Sequence, residues 1–121
     1  MPSPYAVCLV TAGDEKTASS IAGGLVEGKL AACVSMIGGV ASTYRWKGKV
    51  ETAGEVLLVI KTRKSLVEDV EQFVKRNHPS SVPEILFMSV EHGSRDYLDW
   101  LGANTLFTTN ISKDKAGKIT T

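Results

Sequence analysis

The sequence predicts an α+β domain whose elements follow one another in the order βαββαβ. Short, almost continuously apolar runs indicate buried strands, and two segments between them repeat apolar residues at helical spacing. Right-handed crossovers then place both helices on one face of an antiparallel, ferredoxin-like sheet. A chain of 121 residues suffices for one core. We therefore predict a single domain over residues 1–121, with residues 104–121 as a polar tail.

The first strand and helix are predicted from residues 5–28. Tyr5 to Ala12 is apolar on both alternating sides, as in a strand covered on both faces. Asp14 is a candidate N-cap for the following helix, which Gly28 ends. The apolar stripe of this helix comprises Ala18, Ile21, Ala22, Leu25 and Val26, and the pair Gly23-Gly24 interrupts it.

A long extended arm follows the first helix. It runs from Leu30 to Trp46, with a bulge predicted at Gly38-Gly39, and turns back at Lys47-Gly48. The return begins at Val50 and becomes the apolar third strand, Val56 to Lys61. Because the arm exceeds an average strand of about 5–6 residues, we expect it to project beyond its own sheet.

The second half of the chain carries the remaining elements. Ser65 and Glu68 suggest a capping box for the second helix, which His78-Pro79 ends. Residues 85–90 form the fourth apolar strand, and Ser94 precedes a short C-terminal helix.

One face of the predicted sheet lacks a cover. Both alternating sets are apolar on the first strand (Val7/Leu9 and Ala6/Cys8/Val10) and on the third (Leu57/Val59 and Val56/Leu58/Ile60), and two helices can cover only one set of each. Soluble monomers rarely expose such a patch, so we expect further copies of the chain to cover it. The alternative is a monomer whose short third helix and tail lie on that face.

Charge, hydropathy and cysteine content indicate which partners and which location to expect. Fourteen basic and thirteen acidic residues give a net charge of +1, which gives no reason to expect a nucleic-acid or membrane partner. Without an apolar run of about 20 residues or a secretory pattern, the cytoplasm is the expected location. Cys8 and Cys33 are expected to be reduced thiols, buried as small apolar residues.

Metal ligands are not grouped in any zinc-type motif. The candidates are His78, Glu84, His92, Cys8 and Cys33, of which we favour His78, Glu84 and Cys8. Cu(II) or another divalent cation is the metal considered, and no cofactor is required. The alternative for His78 is a hydrogen bond to a backbone carbonyl at the helix end.

A cleft between subunits is predicted where the arm meets the end of the third strand and the 78–84 turn. Tyr44, Trp46, Lys61 and Glu84 would line it, with aromatic walls and a few charges that suit a small molecule. In the favoured alternative, the two aromatic residues anchor an interface and Lys61 pairs with Glu84 at its rim.

No catalytic group is predicted, because no nucleophile is paired with a base in the sequence. The acidic 12–15 loop after the first strand opposes phosphate chemistry, and aliphatic central strands oppose RNA binding.

Five segments together resemble the CutA divalent-cation tolerance family. They are IAGGLVEGKLAACV (21–34), STYRWKGKV (42–50), EVLLVIKT (55–62), HPSSVPE (78–84) and HGSRDYLDWL (92–101). They stand in the family's order, although Ser80 occupies a position that is usually aromatic. The resemblance implies a PII-like homotrimer whose arms cross onto neighbouring subunits, and a role in divalent-cation, chiefly copper, tolerance. A stable trimeric scaffold or a signalling protein that binds a small molecule or protein at its clefts is the alternative.

Overall fold

A computed structural model describes residues 3–107, and its elements follow the predicted order. They are β1 (Tyr5–Ala12), α1 (Glu15–Glu27), β2 (Cys33–Trp46), β3 (Lys49–Arg63), a 3₁₀ turn (Lys64–Leu66), α2 (Val67–Asn77), β4 (Ile85–Ser89) and α3 (Arg95–Ala103). Within the described part of the chain, no helix has the length and apolar character to span a membrane.

The four strands form one antiparallel sheet in the order β2-β3-β1-β4. This confirms the ferredoxin-like arrangement. Helices α1 and α2 pack on one face, where alternate residues of β1 and β3 are fully buried. The core cluster comprises Cys8, Val10, Ala12, Ala18, Ile21, Ala22, Leu25, Leu30, Ala31, Val56, Leu58, Ile60, Leu66, Val70 and Val74.

Helix α1 begins and ends where the sequence predicts. The Asp14 carboxylate accepts a hydrogen bond from the Thr17 backbone N–H at 2.7 Å, and this bond lowers the pKa of Asp14. Val26, predicted on the buried stripe, is instead 41% exposed. Of the glycine pair, only Gly24 is in close contact with another helix, at the Phe73 ring of α2.

The capping box predicted for α2 is wrong. A 3₁₀ turn precedes the helix and leaves Leu66 at the N-cap without a side-chain hydrogen bond. Ser65 Oγ instead donates to the Phe107 carbonyl at 3.0 Å, so a tertiary contact uses the hydroxyl that the local pattern assigned to capping. The other end is as predicted, because α2 stops at Asn77 and His78 is extended before Pro79.

Two glycine-containing sites shape the arm as predicted. The register between β2 and β3 shifts between Ile37 and Val40, and Gly39 has φ of +72°. At the tip, Lys47 and Gly48 both have positive φ, 51° and 80°, which is the pattern of a two-residue hairpin turn.

The first residues of the predicted tail pack against the domain. Thr105 is buried, and the Leu106 N–H donates to the Lys29 carbonyl at 2.9 Å. The Arg63 guanidinium lies 4.6 Å from the centre of the Phe107 ring and donates to Thr105 Oγ1 at 2.9 Å. The rest of the tail, 108–121, lies outside the described residues.

The second face of the sheet is apolar and only partly covered, as predicted. We call it the open sheet face. Cross-strand partners share a side of the sheet, so the register assigns its members. Its apolar residues are Val7, Leu9, Ile37, Leu57, Val59, Leu86 and Met88. Ile37, Leu86 and Met88 are 49%, 57% and 48% exposed. Helix α3 reaches one end of this face, where Gly102 contacts Tyr5 and Arg63.

Candidate functional site

A cavity of about 720 Å³ opens between the arm, the end of β1 and the loop that joins α2 to β4. We call this cavity, lined among others by Thr11, Tyr44, Trp46, Glu55, His78 and Glu84, the arm cleft. Its volume lies in the range of small-molecule sites, which is about 300–1,000 Å³.

The arm contributes an aromatic wall. Tyr44 and Trp46 lie on the same side of β2, and each is 44% exposed. Arg45 between them is turned toward the tip of the arm, because its guanidinium donates to the Gly48 carbonyl at 3.4 Å. Arg45 also lines the cleft, so the arm offers it two ring faces and one guanidinium.

The loop contributes a histidine whose ring nitrogens are both hydrogen-bonded. His78 Nδ1 accepts from the Ser80 N–H at 3.1 Å, which places the ring proton on Nε2. That proton is donated to the Thr11 carbonyl at 2.8 Å. The backbone-carbonyl alternative for His78 is therefore the one that the structure shows, and the ring holds the loop against β1.

Two carboxylates line the arm cleft in addition to the Arg45 guanidinium. Glu55 lies at the base of the arm opposite Val40, and Glu84 immediately precedes β4. Neither side chain has a hydrogen bond or an ion pair with another residue between 3 and 107. The cleft thus joins aromatic surface to two unpaired negative charges.

The structure brings together three of the four predicted cleft residues. Tyr44, Trp46 and Glu84 line the arm cleft, but Lys61 does not. Lys61 lies on the open sheet face, where its Nζ donates to Ser35 Oγ, so within one chain it does not pair with Glu84. Glu55 was missed as a lining residue, although its position beside the predicted bulge was the available signal.

The three predicted metal ligands do not form one site, although His78 and Glu84 both line the arm cleft. Cys8 is fully buried in the core, and burial raises the pKa of its thiol to about 12. His78 has both nitrogens engaged, and Glu84 is exposed in the cleft. Across residues 3–107, no group of three His, Cys, Asp or Glu side chains is placed to hold a metal ion.

We expect Cys8 to resist alkylation in the folded protein. In a Cys33→Ser variant, iodoacetamide should leave the native thiol unmodified at pH 8 and modify it fully in denaturant. Because the folded pKa is raised, the contribution of Cys8 to stability is complete below the unfolded pKa of about 8.5 and falls as pH rises toward 12. Rapid labelling without denaturant, measured by mass spectrometry, would contradict the buried position.

Comparison with known proteins identifies the family. Residues 6–104 match the family model described as "CutA1 divalent ion tolerance protein". The chain belongs to the CutA family. A CutA protein from Thermus thermophilus, named a divalent-cation tolerance protein, is 44% identical over 99 residues, which are 82% of this chain and 96% of the relative.

Solved CutA structures share the fold. The chain resembles CutA1 from Oryza sativa with a TM-score of 0.85 and 39% identity, over 88% of this chain and 98% of that one. For the Thermus thermophilus protein, the TM-score is 0.82 at 43% identity, over 84% and 99% of the two chains.

Several CutA relatives are longer than the matched region. The human protein is 44% identical over 101 residues, which are 84% of this chain but 56% of the relative. This chain spans about three fifths of the rice, mouse, human and Arabidopsis relatives. One rice relative is named chloroplastic and one Archaeoglobus fulgidus structure is titled periplasmic, so the cytoplasmic location stays a prediction from the sequence.

Proposed function

We propose that the chain works as a homotrimer in tolerance of divalent cations, chiefly copper. The observation that carries the proposal is the open sheet face, which holds seven apolar side chains in register. Helix α3 covers only one end of it. Soluble proteins seldom leave such a surface in water, and closed symmetry lets identical copies cover it.

The arm supports the same assembly. Beyond the bulge, residues 40–55 form a two-stranded ribbon whose tip residue Val50 is 64% exposed. An isolated two-stranded hairpin is marginally stable in water, and exposed aromatic residues are common at interfaces. In the proposed trimer, the arm lies on a neighbouring subunit.

Residues 3–107 of one chain do not fit a resident metal site, because Cys8 is buried in the core and both ring nitrogens of His78 are hydrogen-bonded. The proposed relation to copper therefore rests on membership of the CutA family, whose relatives are named for divalent-cation tolerance. Any stable site would draw its ligands from more than one subunit.

Light scattering tests the assembly, and calorimetry tests the metal. We expect the mass of three 13.0 kDa chains, and heat on addition of Cu(II) to that species. A single-chain mass at micromolar concentration would overturn the trimer, and absence of heat would overturn the copper role. His78→Ala should give the wild-type isotherm, because both ring nitrogens already serve the loop.

The arm cleft favours a second candidate function, the binding of a small molecule. Its volume, aromatic wall and unpaired carboxylates are the features of a ligand pocket. In this function, the trimer is a scaffold that presents such clefts, as the PII-like architecture implies.

A further inference from the structure

We propose that a glycine hinge joins the arm to its own sheet, and that residues 40–55 swing about it as one ribbon in the single chain. The inference goes beyond the proposed function and holds whether or not three chains assemble. What supports it is the juxtaposition of Gly38, Gly39 and Gly54 at the base of a ribbon in which no residue is buried.

The ribbon has little attachment to its own domain. None of residues 40–55 is buried, and all but four are exposed in the single chain. The ribbon side chains bond to each other, as Thr43 does to Thr52 at 3.2 Å and Arg45 to the Gly48 carbonyl. Within residues 3–107, no hydrogen bond or ion pair joins the ribbon to α1 or to the 78–84 loop. The arm cleft of about 720 Å³ separates the ribbon from that loop.

Three glycines lie where the ribbon leaves the sheet. Gly38 and Gly39 lie in the bulge, and Gly54 lies just beyond it on β3, opposite Ala41. Of the three, only Gly39 has positive φ. A Cβ atom at Gly54 would meet nothing within 4 Å, and one at Gly38 would meet only Glu15 Oε1, at 3.8 Å.

Neither packing within the chain nor backbone conformation accounts for glycine at positions 38 and 54. Glycine inside a strand is destabilising by about 0.5–1 kcal/mol relative to alanine. Hinges are a few residues at the ends of elements that absorb changes in φ and ψ, and glycine absorbs them most readily. A hinge therefore explains why both strands of the ribbon carry glycine at the same level.

The hinge divides a fixed body from a moving ribbon. Below the bulge, Val56 and Leu58 of β3 are buried against the helices, which holds the sheet in place. Above it, the cross-strand hydrogen bonds from Val40 to Trp46 keep the ribbon in one piece. In the proposed trimer, contact with a neighbouring subunit would then select one direction of the ribbon.

Double electron–electron resonance between two spin labels tests the hinge. The ribbon pair is Lys16→Cys on α1 with Val50→Cys at the tip, where Val50 is 64% exposed. The body pair is Lys16→Cys with Glu68→Cys, an exposed position on α2. Both are made in a Cys33→Ser background, and Cys8 stays unlabelled because it is fully buried.

The distance distribution of the ribbon pair is the measured quantity. Single chains are the wild type if light scattering reports one chain, and Leu86→Lys on the open sheet face otherwise. We expect the ribbon pair to give a distribution about twice as wide as the body pair. Gly38→Ala combined with Gly54→Val should narrow it to the width of the body pair, because side chains restrict the backbone at the hinge.

Thr52→Val is the matched control, since it places the same side chain at an exposed ribbon position beyond the hinge. It should leave the width of the ribbon pair unchanged. Urea unfolding should show that the glycine double variant is folded and at least as stable as its parent, because both added side chains enter open space.

Equal widths of the ribbon and body pairs would overturn the hinge, and so would a glycine double variant as broad as its parent. If that variant instead lost only the trimer mass, the two glycines would serve close approach of a neighbouring subunit, and the hinge would again be rejected. A single-chain mass for the wild type would reject the trimer alone, because the hinge is then measured in the wild type itself.

Discussion

Leu86→Lys should convert the proposed trimer into single folded chains. Leu86 lies on the open sheet face beside Leu9, and 57% of it is exposed in the single chain, so the substitution disturbs little within one subunit. In an assembly it replaces buried apolar surface, which contributes about 2 kcal/mol per chain, with an ammonium that would have to lose its water. Because the assembly is symmetric, this loss of interface free energy occurs once in every subunit.

The matched control is Val26→Lys on the outer side of α1. Val26 is 41% exposed, and it faces away from the open sheet face. Light scattering at micromolar concentration should show one chain for Leu86→Lys and the wild-type mass for Val26→Lys, with equal far-ultraviolet circular dichroism. A trimer that tolerates the lysine at 86 would mean that another surface holds the copies together.

Gly24→Ala should destabilise the domain by about 1–3 kcal/mol, although alanine is the better helix former. A methyl group at position 24 would lie 2.3 Å from Cζ of Phe73, so α1 and α2 must move apart or the ring must turn. Gly23→Ala is the control, because nothing lies within 4 Å of its added methyl group. It should stabilise the domain by up to about 1 kcal/mol.

Urea unfolding at one fixed protein concentration measures both changes, since the stability of an oligomer depends on concentration. In a Phe73→Leu background, Gly24→Ala should lower the free energy of unfolding much less than it does in the wild type, because the smaller side chain no longer occupies the space of the added methyl group. Equal stability of the two alanine variants would contradict the close approach of the helices.

The sequence predicts the fold well because its signals here are local. Continuous apolar runs give β1 and β3, Asp14 and Ser94 cap their helices, and Lys47-Gly48 turns the arm. The capping box failed because a 3₁₀ turn moves the start of α2 beyond Ser65, whose hydroxyl donates to the Phe107 carbonyl, a residue distant in sequence. Local patterns do not report such distant contacts.

The residues that line the arm cleft were harder to predict, because they depend on which side of the sheet each strand residue faces. Lys61 and Glu55 both point to the open side of β3, yet only Glu55 lies near the arm. The two residues differ in their distance from the bulge along β3, and the sequence locates the bulge only approximately. The hydrogen bond from His78 Nε2 to the Thr11 carbonyl required the path of β1, which no feature of the 78–84 segment reveals.

The glycine pair at 38–39 decides which surface of the protein receives the aromatic residues. Three steps along β2, from Ile37 to Val40, match two steps along β3, from Leu57 to Glu55. Because of the extra residue, each later residue of β2 faces the opposite side of the sheet from the one it would otherwise face. Tyr44 and Trp46 therefore share a side with Glu55. With one residue fewer, the ribbon would be turned over, and Thr43 and Arg45 would take the place of the two rings.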